Sequence, residues 1–155
     1  MTAMAQLYQQ LILDHSRERH GYGLGEDSAG TAESFQVNPT CGDEVRLRVR
    51  LAGTEDQARI DLLEWEGTGC SISQASISVM AQETTGATRA DADAFARRFD
   101  DLMHSRGATL DPADEEFLGD AAAFAGVSKY PARVKCALLG WMALKDALRQ
   151  LDQGE

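Results

Sequence analysis

The sequence has no block of basic residues, although it is rich in charge. Its 155 residues carry 25 acidic and 15 basic side chains, so the formal net charge at pH 7 is −10. Because nucleic-acid binding requires a concentrated positive surface to meet the phosphates, we expect no nucleic-acid partner. Basic residues do lie close to the last cysteine, namely Lys129, Arg133 and Lys135. The chain is therefore locally basic there.

Long apolar runs and the common nucleotide motifs are absent as well. The opening residues MTAMAQLYQQLILDH lack a basic start, and Gln and Tyr interrupt the apolar residues, so neither a secretion signal nor a membrane span is indicated. Without GxGxxG, a P-loop or HExxH, nothing points to nucleotide binding or zinc-protease chemistry. The cysteines number three, and an odd count indicates a reducing compartment. We expect a cytoplasmic protein without a membrane partner.

The chain is long enough to build a core without disulfides. Of its 155 residues, 43% are hydrophobic, which is sufficient to bury a sizeable apolar surface. No repeat, low-complexity tract or linker divides it. We therefore expect residues 1–155 to form a single domain.

The first half of the chain predicts one helix and three strands. Apolar residues at helical spacing predict a helix that is capped by Thr2 and ends near Ser16. Strict alternation over residues 44–51 predicts a half-buried antiparallel strand. After the turn sequence AGTEDQ, residues 59–66 predict a strand in which Ile60 and Trp65 face opposite ways, with a bulge or a doubly covered end. Residues 35–38 add an edge strand.

The second half of the chain is helical. A stripe of apolar positions follows Cys70 and stops at Gly86, and a further helix is expected from about Ala90. Residues 111–126 indicate a loop with a short helix, and Pro131 suits the first turn of a last long helix. We predict an α+β fold, in which helices pack on one face of a small, mostly antiparallel three-stranded sheet.

The three cysteines, Cys41, Cys70 and Cys136, lie far apart along the chain. Together with Asp43 they supply three thiolates and one carboxylate, which suits a tetrahedral zinc ion or an iron–sulfur site with a weak fourth ligand. Because no two of them form a CxxC pair, the donors meet only if the domain folds around them. A carboxylate among sulfurs makes one ligand exchangeable, as a site that must open requires.

Ordinary structural roles compete with metal binding at each position. A lone buried cysteine such as Cys136 is more often a small hydrophobic residue, and Asp43 is also typical of an Asx turn. The histidines His15, His20 and His104 are not favoured as ligands, because they lie at a helix end or in polar loops. From the residues alone, both interpretations stay open.

Four segments of the chain stand out together: LYQQLILDHSRERHGYG, NPTCGDEVRL, GTGCSISQASISVM and YPARVKCALLGWMALKDAL. In order and spacing they closely resemble the SufU-type branch of the IscU-like iron–sulfur cluster assembly proteins, over nearly the full chain. Two features differ from the IscU branch: Lys135 stands where those scaffolds have a histidine, and KYPARVK lacks their double-proline stretch. The acidic segment 111–125 resembles the insertion of the SufU branch.

The resemblance implies an IscU/SufU-like fold and a zinc-dependent sulfurtransferase of iron–sulfur cluster assembly. Its partners would be a SufS-type cysteine desulfurase and a downstream iron–sulfur scaffold or sulfur acceptor. By carry-over, Cys41, Asp43, Cys70 and Cys136 bind zinc. Cys41 receives the persulfide sulfur by thiol exchange, and Arg133 steers the pair or stabilises the released thiolate.

Two alternatives remain open. In the first alternative, the chain is a scaffold that assembles a nascent iron–sulfur cluster on Cys41, Cys70 and Cys136, since thiolates bind iron as well as zinc. Lys135 in place of histidine argues against that role. A structural zinc module that binds a protein partner through its surface is the third interpretation.

Overall fold

The computed structural model describes residues 3–26, 29–54 and 57–153. In chain order its elements are α1 (Ala3–Glu18), β1 (Thr31–Asn38), β2 (Asp43–Ala52), β3 (Arg59–Thr68), α2 (Ser71–Thr84), α3 (Arg89–Met103), α4 (Pro112–Leu118), a 3₁₀ helix (Gly119–Lys129) and α5 (Pro131–Asp152). The predicted α+β fold with a three-stranded antiparallel sheet is confirmed. The predicted cap Thr2 and two residues of the predicted turn, 55 and 56, lie outside the described residues.

The strand β2 is the centre of the sheet and pairs antiparallel with β1 and β3. Its alternation leaves Val45, Leu47 and Val49 without solvent exposure. Burying each such side chain stabilises the fold by about 1.5–3 kcal/mol. The edge strand β1 begins at Thr31, earlier than predicted. The sequence does not indicate this start, because the inward-facing residues include the small polar Ser34 and give no clear apolar alternation.

A β-bulge changes which residues of β3 face the core. The pairing register shifts between Arg50 and Leu51 of β2, which leaves Asp61 as the extra residue of β3. The bulge that the sequence suggests is therefore present. The prediction of opposite faces for Ile60 and Trp65 is wrong, because the extra residue shifts the alternation by one and both side chains are fully buried.

The helix α2 lies at the centre of the helical layer. The sequence predicts one apolar stripe, but Ser73 to Ala81 are all buried, because α1, α5 and β3 pack around the helix. Small polar side chains inside it are paired. Ser76 Oγ donates to the Ala137 carbonyl at 2.6 Å and accepts from Trp141 Nε1 at 3.1 Å. These bonds fix α2 against α5.

An aromatic cluster fixes α5 relative to α3. The Trp141 ring stacks on Phe95 and Phe99, with centroids 5.6 Å and 5.0 Å apart. Phe99 also meets Phe124 of the 3₁₀ helix edge-on, at 5.6 Å. Aromatic pairs of this kind contribute about 0.5–1.5 kcal/mol beyond their buried area. The cluster therefore fixes α5, the helix that carries Cys136, against α3 and the 3₁₀ helix.

Residues 111–129 contain more helix than the sequence predicts. The Asp111 side chain accepts from the Asp114 N–H and so caps α4, which runs directly into the 3₁₀ helix. The alanines of the 3₁₀ helix are buried, and their small size gives little periodicity to read. In the described stretches, no helix has the length and apolar character that a membrane crossing would need.

Candidate metal centre

The cysteines and Asp43 lie at the ends of three elements that meet. Cys41 is in the turn between β1 and β2, and Asp43 is the first residue of β2. Cys70 immediately precedes α2, and Cys136 is on the second turn of α5. The fold therefore brings together thiols that are 95 residues apart in the chain, Cys41 and Cys136.

The Cys41 loop is a tight turn. Gly42 has φ +77°, a left-handed conformation that side chains disfavour. Its N–H donates to the Asn38 carbonyl at 2.8 Å, which closes the turn. The turn places Cys41 Sγ 3.0 Å from Asp43 Oδ2, so a glycine between the two donors lets both face the same point.

Cys70 is held against Asp43 through its backbone. The Cys70 N–H at the N-cap of α2 donates to Asp43 Oδ1 at 3.0 Å. The preceding residue must be glycine for this approach. A Cβ on Gly69 would lie 2.5 Å from Asp43 Oδ1 and 2.5 Å from Ser73 Oγ. The carboxylate is thus anchored at a helix N-terminus, where a negative charge is favourable.

The sulfur atoms converge on the other carboxylate oxygen. Cys41 Sγ lies 3.3 Å from Cys136 Sγ, and Cys70 Sγ lies 3.8 Å from Asp43 Oδ2. The Asn38 side-chain amide donates to Cys41 Sγ at 3.1 Å and approaches Cys136 Sγ at 3.9 Å. Asn38 therefore lies beside two of the three thiols.

Hydrogen bonds keep Asp43 in its charged form. The side chain is almost fully buried, with 1% of the residue exposed. Burial alone raises the pKa of a carboxyl group, but hydrogen bonds from Cys136, Cys41 and Cys70 outweigh it, so the pKa of Asp43 lies below its usual value. A charged oxygen ligand is therefore ready among the thiols.

The three thiols differ in their exposure to solvent. Cys41 is exposed, Cys70 is partly buried and Cys136 is 4% exposed. Burial, followed by the hydrogen bonds to Asp43 and Cys41, raises the pKa of the Cys136 thiol well above its usual value. Without a cation, negative charge is thus unfavourable at the deepest sulfur. A reagent or partner in solution meets Cys41 first.

The donor set fits a zinc ion. Cys41, Asp43 and Cys136 each offer a ligand atom, and these atoms lie within 4.8 Å of one another. Tetrahedral zinc with sulfur at 2.3 Å separates its sulfurs by ~3.8 Å, so a 3.3 Å sulfur pair needs only a small expansion. Cys70 stands outside this tight group but approaches Asp43. It is therefore the donor that must shift most to reach the ion.

A large cleft opens at the start of α2, directly after Cys70. Its volume is about 990 Å³, and it lies between α1, the first residues of α2, the loop 107–110 and the start of α5. Arg133 and Lys129 line it, together with Ser71, which follows Cys70 directly. Arg133 and Lys135 are exposed on α5. Lys129 and Arg133 therefore give the wall of this cleft positive charge.

Two residues of the site are missing from the sequence prediction. Asn38 contacts Cys41, and its position three residues before that cysteine, at a strand end, is the signal that identifies it in retrospect. Gly69 precedes Cys70 in a glycine-rich segment, but the sequence does not reveal that its missing Cβ makes room for Asp43. Close approach is a tertiary property, so the role of either residue becomes clear only in the folded chain.

Comparison with known proteins places this geometry in context. Residues 7–149 match the family model "NifU-like N terminal domain". The chain is 40% identical over 151 residues to the zinc-dependent sulfurtransferase SufU of Bacillus subtilis, covering 96% of this chain and 93% of that protein. It is 35% identical over 151 residues to the iron–sulfur cluster assembly scaffold protein IscU of Streptococcus pyogenes, covering 97% and 87%.

A solved structure is similar as well. The crystal structure described as a putative iron–sulfur cluster assembly scaffold protein for the SUF system, from Fervidobacterium islandicum, superposes with a TM-score of 0.71 at 34% identity. The match covers 92% of this chain and 97% of that one. Fold and sequence therefore point to the same relatives.

Proposed function

The chain belongs to the family of NifU-like N-terminal domains, and on this premise we propose that it is a zinc-dependent sulfurtransferase of iron–sulfur cluster assembly. It acts as a single domain in a reducing, cytoplasmic compartment. Its sulfur donor is a SufS-type cysteine desulfurase, and a downstream scaffold or acceptor takes the sulfur on. Cys41 is the accepting thiol.

The observation that carries this proposal is the exposure of Cys41 within a set of metal donors. Cys41 is exposed, whereas Asp43 and Cys136 behind it are buried. A purely structural site has no need of an accessible ligand on a turn. A transfer site does, because the sulfur donor must reach one thiol while the others remain in place.

The transfer itself exchanges one S–S bond for another. The Cys41 thiolate attacks the terminal sulfur of the desulfurase persulfide, and the S–S bond of that persulfide breaks. The desulfurase leaves as a thiolate, and Cys41 carries the new persulfide. No external oxidant or reductant is consumed. Asn38, whose amide donates to Cys41 Sγ at 3.1 Å, stabilises the attacking thiolate before the exchange.

Zinc would be held by Cys41, Asp43, Cys70 and Cys136, and it would keep their thiols deprotonated at neutral pH. Asp43 would stay tied to the Cys70 N–H while Cys41 reacts. Arg133 lines the cleft next to the site and supplies positive charge where a thiolate is released. Its role is to orient the approaching partner and to favour the charged form of Cys41.

A nascent-cluster scaffold is the second candidate. The convergence of Cys41 and Cys136 at 3.3 Å, together with the similarity to the Streptococcus pyogenes scaffold, favours it. Thiolates bind iron and zinc alike, so the donor set is compatible with both. Lys135 is exposed beside Cys136 and offers no imidazole ligand, which favours the transfer role.

The deciding experiment combines metal analysis with persulfide mapping. Under the proposal, purified protein carries about one zinc per chain. Incubation with a SufS-type desulfurase and cysteine then adds the mass of sulfur at Cys41 and not at Cys136. The scaffold alternative predicts instead a stable cluster after anaerobic reconstitution, which passes to an apo-acceptor without any effect of zinc. A Cys41→Ala variant that still accelerates the desulfurase fully would exclude the transfer role.

A further inference from the structure

A second group of metal-binding side chains lies at the end of α1. His15, Glu18 and His20 each offer one ligand atom, and these atoms all lie within 4.8 Å of one another. The sequence does not favour either histidine as a ligand, because one lies at a helix end and the other in a polar loop. In the structure the His15 ring nitrogens face side chains of other elements.

The backbone at the end of α1 brings these residues together. His15 and Glu18 are three positions apart on the helix and share one face. Arg19 then adopts φ +46°, a left-handed conformation that is disfavoured by about 1–2 kcal/mol for a residue with a side chain. The sharp change of direction returns the chain toward the helix. His20 Nε2 consequently lies 3.4 Å from Glu18 Oε1.

Buried side chains hold His20 in this place. The His20 backbone N–H donates to Ser78 Oγ at 2.9 Å, and the His20 backbone carbonyl accepts from Trp65 Nε1 at 2.7 Å. Ser78 and Trp65 are both fully buried. The His15 and His20 rings are 5.2 Å apart between centroids. The backbone from which the exposed imidazole extends is thus fixed by the core.

Each ring nitrogen of His15 has a polar partner. It is only 3% exposed, its Nδ1 lies 2.8 Å from Ser78 Oγ, and its Nε2 lies 2.9 Å from Asp120 Oδ2. A hydrogen bond to one ring nitrogen fixes the orientation in which the other binds a metal. Here Ser78 fixes Nδ1. Asp120 stands at Nε2, where it accepts a hydrogen bond or turns its oxygen to a cation.

We infer that His15, Glu18 and His20 form a second site, for a divalent transition-metal ion, with Asp120 beside it as an additional oxygen donor. Two imidazoles and a carboxylate suit zinc, and the charges of Glu18 and Asp120 balance those of the ion. The side chains of Glu18 and His20 are 58% and 43% exposed, so a cation in solution reaches the site in the folded protein. With nitrogen and oxygen ligands, this site exchanges zinc more readily than the cysteine set.

The test is the zinc capacity of the intact chain. Wild-type protein, His20→Ala and the matched control His104→Ala are equilibrated with excess Zn²⁺ and freed of unbound ion. His104 is an exposed histidine at the end of α3 and pairs with Asp100, so it controls for the loss of any surface imidazole. Wild type and His104→Ala are expected to bind one more zinc than His20→Ala. The difference is the same whether or not the cysteines bind zinc, so this result is independent of the proposed function.

Two further measurements make the outcome decisive. Zn²⁺ added to the wild type should shift the imidazole NMR signals of His15 and His20 and leave those of His104 in place. Asp120→Asn should weaken binding at this site by about 10–100-fold, since it removes the charged oxygen donor beside His15 Nε2. Equal zinc capacity in wild type and His20→Ala, with unshifted imidazole signals, would overturn the inference. A folded His20→Ala variant is expected, because its side chain is exposed and its backbone bonds remain.

Discussion

Cys41 Sγ lies 3.3 Å from Cys136 Sγ, although one thiol is exposed and the other is buried. A single contact between two sulfur atoms therefore links the solvent-exposed side of the site to its buried side. Cys41 lies on a turn, whereas Cys136 lies on a helix that aromatic stacking holds in place. The exposed thiol and the thiol on the fixed helix are therefore distinct residues, and the predictions about the thiols depend on that difference.

Cys41→Ser and Cys136→Ser should fail in different ways. With Cys41→Ser, we expect sulfur transfer to be lost while the fold persists, because an exposed position on a turn is replaced. With Cys136→Ser, we expect a less stable protein as well, since a buried thiol gives way to a more strongly polar hydroxyl. Persulfide mass and thermal unfolding, measured on both variants, check this. Equal destabilisation by the two substitutions would contradict it.

Asn38→Ala should slow sulfur uptake while zinc stays bound. Its amide donates to Cys41 Sγ at 3.1 Å, and a hydrogen bond to a charged group contributes about 1.5–3 kcal/mol, so the rate should fall by roughly 10- to 100-fold. Single-turnover transfer from the desulfurase persulfide measures the rate, and metal analysis measures zinc. Gln36→Ala is the matched control, because Gln36 on the same strand bonds Ser34 and not a cysteine. Equal rates for the two variants would remove Asn38 from the transfer step.

Gly69→Ala should disrupt the metal site through one methyl group. The new Cβ would stand 2.5 Å from Asp43 Oδ1, so the carboxylate must leave the Cys70 N–H. We expect loss of zinc and of about 1–3 kcal/mol of stability, as for overpacking in a closely packed interior. Gly126→Ala is the control, because its Cβ would meet no atom within 4 Å. Zinc content and urea unfolding of both variants decide the matter.

Gln74→Met should stabilise the protein. Gln74 on α2 is 8% exposed, and in the described part of the chain its Nε2 has no hydrogen-bond partner. An unsatisfied buried donor is unfavourable by about 1–3 kcal/mol, and methionine fills a similar volume without one. Urea unfolding at neutral pH should show a higher midpoint. Gln9→Met, at an exposed position of α1, should leave the midpoint nearly unchanged.

Asp152→Asn should reduce stability at neutral pH but not in acid. Arg89 donates to both Asp152 oxygens, at 2.7 and 2.9 Å, and thereby lowers the pKa of this carboxyl group. A lowered pKa in the folded state contributes stability above the ordinary value, about 3.9, and that contribution disappears as pH falls through the folded-state pKa. Because Asp152 is half exposed, we expect a difference below about 1 kcal/mol at pH 7. Urea unfolding at pH 7 and pH 3 should show the difference narrowing, whereas Asp101→Asn, exposed on α3, should show little at either pH.

The parts of the fold that were predictable have strong local signals. Alternation in residues 44–51 identifies β2, and Pro131 marks the first turn of α5. The full burial of α2 has no such signal, because it results from elements that pack around it from elsewhere in the chain. The reversed face of Ile60 depends likewise on one unpaired residue in a ladder.

The candidate site shows the same division. Cys41, Cys70, Cys136 and Asp43 stand out by residue type, and the fold brings them together. Asn38 and Gly69 were not predictable, because one acts through the direction of an amide and the other through an atom it lacks. The meeting of His15 and His20 depends on the left-handed backbone of Arg19, for which an arginine gives no warning.

The two oxygens of Asp43 have separate tasks. Oδ1 is tied to the Cys70 N–H, and Oδ2 faces the sulfurs. A carboxylate that is anchored by one oxygen does not rotate freely. Oδ2 therefore stays directed at the sulfurs even if the Cys41 turn changes its conformation.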